Sequence, residues 1–174
     1  MNAAVSDFLP DIRPMNMADV PAVAAIEASA YQFPWSEKIF SDCLTAGYHG
    51  IVLTSQNEIC GYAILSVAVG EAHLLNLCVD PQLQSRGYGS LMLDYLINKA
   101  RVLGGKKMFL EVRPSNQVAI GMYTRSGFAE IGVRKNYYRT PEGHEDAVVY
   151  ARDIVDLTAG SATSGSSSTE PSLK

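Results

Sequence analysis

The chain has 174 residues, 47% of them hydrophobic, and a net charge of −4 at pH 7, enough for one domain with a real core and too acidic for a general nucleic-acid binder, which presents a basic face. No basic n-region leads into an apolar segment at the N-terminus, and no apolar run approaches the roughly 20 residues that span a bilayer, so no membrane association is expected and a cytoplasmic location is. Three cysteines, Cys43, Cys60 and Cys78, lack a C-x-x-C spacing and the histidines are few and scattered, so neither a disulfide framework nor a metal is expected.

Residues 1–10 read as a flexible start, and Ile12-Arg13-Pro14 as a first strand. Asp19 ahead of Val20-Pro21 predicts the cap of a helix reaching about Ala30, and Ser36 caps a second reaching about Ala46. Gly50 to Ser55, Ile59 to Val69 and Glu71 to Val79 read as consecutive strands joined by polar or glycine turns, an antiparallel meander. Within the last, Leu74 to Val79 is almost continuously apolar, as for a strand buried on both faces, and Asp80-Pro81 stops it. A helix over 87–103 follows, with Met92, Leu96, Ala100 and Leu103 at helical spacing and Gly104-Gly105 as its stop. Lys107 to Val112 then reads as a strand and Gln117 to Ser126 as a helix ended by Gly127, before two strand patterns around Glu130 to Tyr138 and Glu145 to Arg152. The Ser/Thr/Gly-rich stretch 158–174 cannot build a core and is expected to be disordered. The pattern is that of a single mixed α/β domain over 11–155 without internal repeats.

Gln84-Ser85-Arg86-Gly87-Tyr88-Gly89 joins a buried strand to an amphipathic helix. A helix N-terminus carries backbone N–H groups without internal partners and a partial positive charge, so it attracts anions. Gly87 and Gly89 let a polyanion approach the backbone, and Arg86 adds a permanent cation, a combination that suits a pyrophosphate as well as an ordinary turn. The dinucleotide fingerprint needs a third glycine where this chain has Met92, and no Walker lysine follows.

The remaining pattern, Q-x-x-G-x-G after Val-Asp-Pro, resembles the acetyl-CoA signature of the GCN5-related N-acetyltransferases (GNAT), and the resemblance runs from about Asp11 to Asp153. Phe33-Pro34-Trp35-Ser36-Glu37, Leu110-Glu111-Val112-Arg113, Ser115-Asn116, Met122-Tyr123, Gly127-Phe128, Arg134-Lys135-Asn136-Tyr137-Tyr138 and Gly143-His144-Glu145-Asp146-Ala147 agree in order. They are similar to the RimI-like branch of the family, which acts on the N-terminal alanine of a ribosomal protein. The resemblance implies an α/β (α+β) single domain, a mixed, mostly antiparallel twisted sheet flanked by helices, with acetyl-CoA as acetyl donor and a protein N-terminus as acceptor. The net charge suits a basic peptide partner, and nothing in the pattern requires more than a monomer.

Acetyl transfer needs a neutral amine, a stabiliser for the oxyanion and a proton for the departing thiolate. An α-amine with a pKa near ~8 is about a tenth neutral at pH 7, whereas a lysine near ~10.4 is neutral only to a few parts in ten thousand, so an N-terminal substrate asks less of its base. By resemblance Glu111 is the general base, directly or through water; by its residue type alone it reads as a solvated strand-end carboxylate paired with Arg113. Tyr123, three residues after Ile120, is a core aromatic by spacing and the general acid by resemblance. Asn116 is an N-cap, with a cofactor contact implied. The resemblance also gives Leu77, Cys78 and Val79 to the acetyl and pantetheine groups, and Ser85, Arg86, Gly87, Tyr88, Gly89 and Ser90 to the pyrophosphate. Cys78 by itself reads as a packing residue rather than a nucleophile. Trp35 and Tyr138, with their neighbours Phe33 and Tyr137, are core aromatics or members of a peptide groove, and His144 is a solvated turn residue.

Ser85 stands where a second basic residue is frequent in the family. Two further readings stay open: an acetyltransferase for a lysine side chain or a small amine, and a non-catalytic acyl-CoA-binding module needing neither Glu111 nor Tyr123.

Overall fold

A strand that is apolar on both faces needs a layer of helices on each, and the described residues supply four α-helices to lay over one sheet. The structure, a computed structural model, describes residues 9–154. The tail at 158–174 and all but the last two residues of the flexible start lie outside the described residues. The elements are β1 (Asp11–Pro14), α1 (Val20–Ala30), α2 (Glu37–Thr45), β2 (His49–Ser55), β3 (Glu58–Ala68), β4 (Glu71–Val79), α3 (Tyr88–Val102), β5 (Lys107–Val112), α4 (Gln117–Arg125), β6 (Ala129–Thr140) and β7 (Gly143–Asp153). The strands form one seven-stranded sheet in the order β1-β2-β3-β4-β5-β7-β6. All neighbours are antiparallel except β4 and β5, which the α3 crossover joins in parallel.

Alternation along the central strands assigns the faces. On β3, Tyr62 and Ile64 join Val23, Ile26 and Phe40 beneath α1 and α2, while Ala63 and Leu65 join Met92, Leu93 and Leu96 beneath α3 on the other side. Helix α4 closes that second layer through Tyr123, which meets Phe128 edge-on at 5.8 Å. Ser36 caps α2, its side chain accepting from the Ile39 N–H, and Asn116 caps α4 in the same way through Ala119.

The expected cap at Asp19 is corrected by the structure. Asp19 makes no side-chain cap to α1; its carboxylate takes both guanidinium nitrogens of Arg13, at 2.8 and 2.9 Å, and the Asn16 N–H at 2.9 Å. The hydrogen-bonded Arg13 holds the Asp19 carboxyl below the usual carboxylate range. A helical turn over Met17–Asp19 precedes α1, and Asn16 caps that turn instead.

Glu27 is the unusual residue of α1. Its place on the stripe defined by Val20 and Val23 puts it in the interior, 3% exposed. The carboxylate accepts from the Trp35 N–H at 2.9 Å, from the Asn76 amide at 3.1 Å and from the Tyr62 hydroxyl. Three neutral donors from the α1–α2 loop, β3 and β4 thus meet on one carboxylate, which compensates its burial without a cation. Glu27→Ala leaves those donors without their acceptor and is expected to cost about 2–4 kcal/mol, with Glu27→Gln costing less; the urea midpoints of the two variants check this.

Candidate active site

β4 and β5 pair only from Glu71↔Lys107 to Leu74↔Leu110, although β4 runs on to Val79 and β5 to Val112. On the opposite edge of β4, the register against β3 moves from Ile64↔Asn76 to Leu65↔Leu74, which makes Leu75 an extra, bulged residue. A bulge bends its strand and raises the local twist. From this point β4 leaves β5, and the backbone of Asn76 to Val79 has no strand partner on that side. The gap holds two adjoining cavities of about 210 and 440 Å³ that share Tyr31, Leu77, Asn116, Ala119 and Met122 in their walls.

The larger cavity lies under the Q-x-x-G-x-G turn. Pro81–Leu83 form a short helical turn after β4, in which the Asp80 carboxylate accepts from the Gln82 N–H at 2.9 Å. The Gln84 amide then donates to the Val79 carbonyl at 3.2 Å, tacking the loop to the strand end. Ser85 and Gly87 are left-handed, φ 63° and 80°. Gly87 provides no side-chain cap for α3, so the N–H groups of that first turn are left to a ligand. Ser85, Gly87, Tyr88, Gly89 and Ser90 line this cavity together with Leu77, Cys78 and Val79, whereas Arg86 is exposed and lies outside its walls. At Gly89 a Cβ would come within 3.0 Å of Met122 Sδ, so the glycine serves the close approach of α3 and α4 as well as access to the backbone. Arg125, in the last turn of α4, brings a cation to the facing wall.

The smaller cavity holds Glu111 and Tyr123 together. Glu111 receives the Arg134 guanidinium of β6 at 3.0 Å. Arg113, its expected partner, lies past the end of β5 and turns elsewhere, to Glu145 at 3.3 Å and to the face of the Tyr138 ring at 4.3 Å. Tyr123 is 7% exposed, and burial pushes its phenol above the ordinary tyrosine range. It is therefore a core aromatic whose side chain also reaches the cleft. Asn116 caps α4 and lines both cavities.

Cys78 lines the larger cavity with its thiol pushed up to about 11, chiefly by burial, which leaves almost no thiolate at neutral pH and removes it as a nucleophile. Trp35, Phe33 and Tyr138 wall the smaller cavity, the Trp35 ring also tilting against Phe40 at 5.4 Å. Tyr137 turns outward beneath Arg134, and His144 is exposed and lines neither cavity.

The residues that the sequence reading missed are Glu27, Tyr31 and Asn76 in the smaller cavity and Arg125 in the larger. For Glu27 a signal existed: a carboxylate seven residues after Val20 and four after Val23 sits on an apolar stripe. Arg125, in a polar last turn, carried none.

A profile of the Acetyltransferase (GNAT) family matches residues 12–128. The chain is 41% identical over 140 residues to the [Ribosomal protein bS18]-alanine N-acetyltransferase of Salmonella typhimurium, covering 80% of this chain and 95% of that protein. It is 40% identical over 143 residues to the protein of the same description from Escherichia coli K12, covering 82% and 97%. The crystal structure of the ribosomal-protein-S18-alanine N-acetyltransferase from Escherichia coli superposes with a TM-score of 0.81 at 37% identity, over 90% of this chain and 100% of that one. The chain belongs to the GNAT family and is an acetyl-CoA-dependent N-acetyltransferase.

Proposed function

We propose that the protein acetylates the N-terminal α-amine of a protein, with the N-terminal alanine of ribosomal protein bS18 as its substrate, and that Glu111 and Tyr123 act as base and acid. The observation that carries this reading is that a carboxylate and a buried phenol share one cavity, and that this cavity opens beside a second one built for an anion. The relatives named for bS18 agree with it.

Acetyl-CoA supplies an acetyl thioester and a polyphosphate tail. For the tail, the uncapped N-terminus of α3, the left-handed Ser85 and Gly87, and Arg125 on the facing wall fit an extended phosphate-bearing donor. For the thioester, the unpaired edge of β4 at Leu77, Cys78 and Val79 offers backbone groups along the cavity. Asn116 stands where the cavities meet. Ser85, Tyr88, Gly89 and Ser90 contribute mainly through backbone, and Arg86 acts from outside as a general attraction for anions.

Glu111 accepts the proton that the amine gives up, directly or through one water, while Arg134 keeps the carboxylate oriented. Tyr123 returns a proton to the departing thiolate. Because burial raises the phenol's pKa, its proton is retained through the neutral and mildly alkaline range in which the α-amine becomes neutral. Trp35 and Tyr138 flank the entry from the peptide side, giving the chain behind the amine an aromatic surface to lie on.

Three tests follow from these assignments. CoA release measured with a bS18 N-terminal peptide, a lysine peptide and small amines is expected to favour the N-terminal peptide; preference for either other class overturns the substrate, and binding without turnover on all of them overturns the enzyme mechanism. Glu111→Gln is expected to lower kcat by about 10²–10⁴-fold near neutral pH, and by less above pH ~8, where the α-amine is already neutral without help. Tyr123→Phe is expected to lower kcat at all pH values, and wild-type activity should show no loss from phenol ionisation below pH ~10, because its pKa is raised rather than lowered. Full kcat in either variant across this range removes that residue from its role.

A further inference from the structure

The ladder between β6 and β7 is broken at two places, narrowly at Ile131, between Glu130 and Gly132, and more widely between Arg134 and Tyr138. Arg134 pairs with Ala147 and Tyr138 with Glu145, so Lys135, Asn136 and Tyr137 all stand opposite the single residue Asp146. At this second break β6 carries two extra residues relative to a regular ladder. An insertion of two preserves the alternation of faces, and the consequence is a contraction: Arg134 and Tyr138, four apart in sequence, take the spacing of residues two apart on one face. Both then reach the same cleft, Arg134 to Glu111 at 3.0 Å and Tyr138 to the cavity wall beneath Arg113.

This contraction has a visible clamp. Asp146 accepts from the Asn136 N–H at 2.9 Å through one oxygen and from the Lys135 ammonium at 3.1 Å through the other. Asn136 is left-handed, φ 52°, a conformation that asparagine tolerates better than most residues and that turns its N–H toward the carboxylate. The adjacent Glu145 fixes the other side, taking the Ser115 N–H at 3.1 Å and Arg113 at 3.3 Å.

We infer that Asp146 is a positioning residue for the acceptor peptide, acting through the β6 insertion to hold Tyr138 in the cavity wall. The inference rests on the reading above that Tyr138 meets the peptide. It assigns to Lys135, Asn136 and Asp146 a specificity role that their exposure alone would not suggest, since all three stand away from the reacting groups.

A double-mutant cycle tests it, with kcat/KM for the bS18 N-terminal peptide as readout and KM for acetyl-CoA and Tm measured alongside. Asp146→Ala is expected to lower kcat/KM for the peptide roughly ten- to a hundredfold while KM for acetyl-CoA stays put, because the donor cavity does not touch β6. Asp146→Asn keeps an acceptor for the Asn136 N–H and should retain most of the activity. In a Tyr138→Ala background, Asp146→Ala should add little further loss. A normal kcat/KM in Asp146→Ala with Tyr138→Ala impaired, or full additivity of the two, overturns the inference and leaves the peptide reading intact. Normal peptide kinetics in Tyr138→Ala overturns the peptide reading itself and the inference with it.

Discussion

The parallel pairing of β4 with β5 lasts for four residues and ends at Leu74 and Leu110, and the cleft depends on that ending. Had the ladder continued to the end of β5, Leu75 and Asn76 would pair with Glu111 and Val112, and the gap between the strands would close at its root. The bulge at Leu75 lets the strands part without disordering β4, because the antiparallel ladder to β3 resumes at Asn76 and continues to Val79. One edge of β4 thus stays a structural strand while the other becomes a binding surface. The α3 crossover then sets the start of the long helix at the outer end of the gap, where its unsatisfied N–H groups are of use. The two cavities adjoin because a single strand forms part of the wall of both.

Those features with a local cause were readable in the residues themselves. The run Leu74 to Val79 declared a strand, although its burial on both faces holds only in part, since Leu75 is 38% exposed and Asn76 and Leu77 are half-buried where β4 parts from β5; the glycines at 87, 104 and 127 marked helix ends through left-handed geometry that only glycine adopts freely. The features with a cause distant in sequence were not. Glu27 is bonded to residues at positions 35, 62 and 76, and no periodicity links these. Glu111 appeared to belong with Arg113, its neighbour in sequence, but the strand order places β7 and then β6 beside β5, and an arginine from two strands away arrives instead. The block Arg134 to Tyr138 was legible as a motif, whereas its function as a contracted strand depends on a register that only the paired β7 reveals.

The cleft is also a place where residues that hold the fold together line the cavities. Tyr123 packs on Phe128 inside the main core and also lines the smaller cavity. Asn116 ends a helix and stands between the two cavities. Such double use keeps the groups rigid, since a core residue has few alternative rotamers, and it binds the geometry of the site to the integrity of the packing.

The two carboxylates facing the smaller cavity are held by different physics. Glu27 is buried and bound by uncharged donors, an N–H, an amide and a hydroxyl. Glu111 is bound by a guanidinium that is itself 56% exposed. Exposed charges are largely screened from one another beyond about 8 Å at 0.15 M ionic strength and beyond about 3 Å at 1 M, so this 3.0 Å pair weakens only toward molar salt, whereas neutral hydrogen bonds in the interior are little affected. Ionic strength therefore acts on one wall of the cavity and not on the other: salt loosens the hold on Glu111 while the wall anchored by Glu27 keeps its shape.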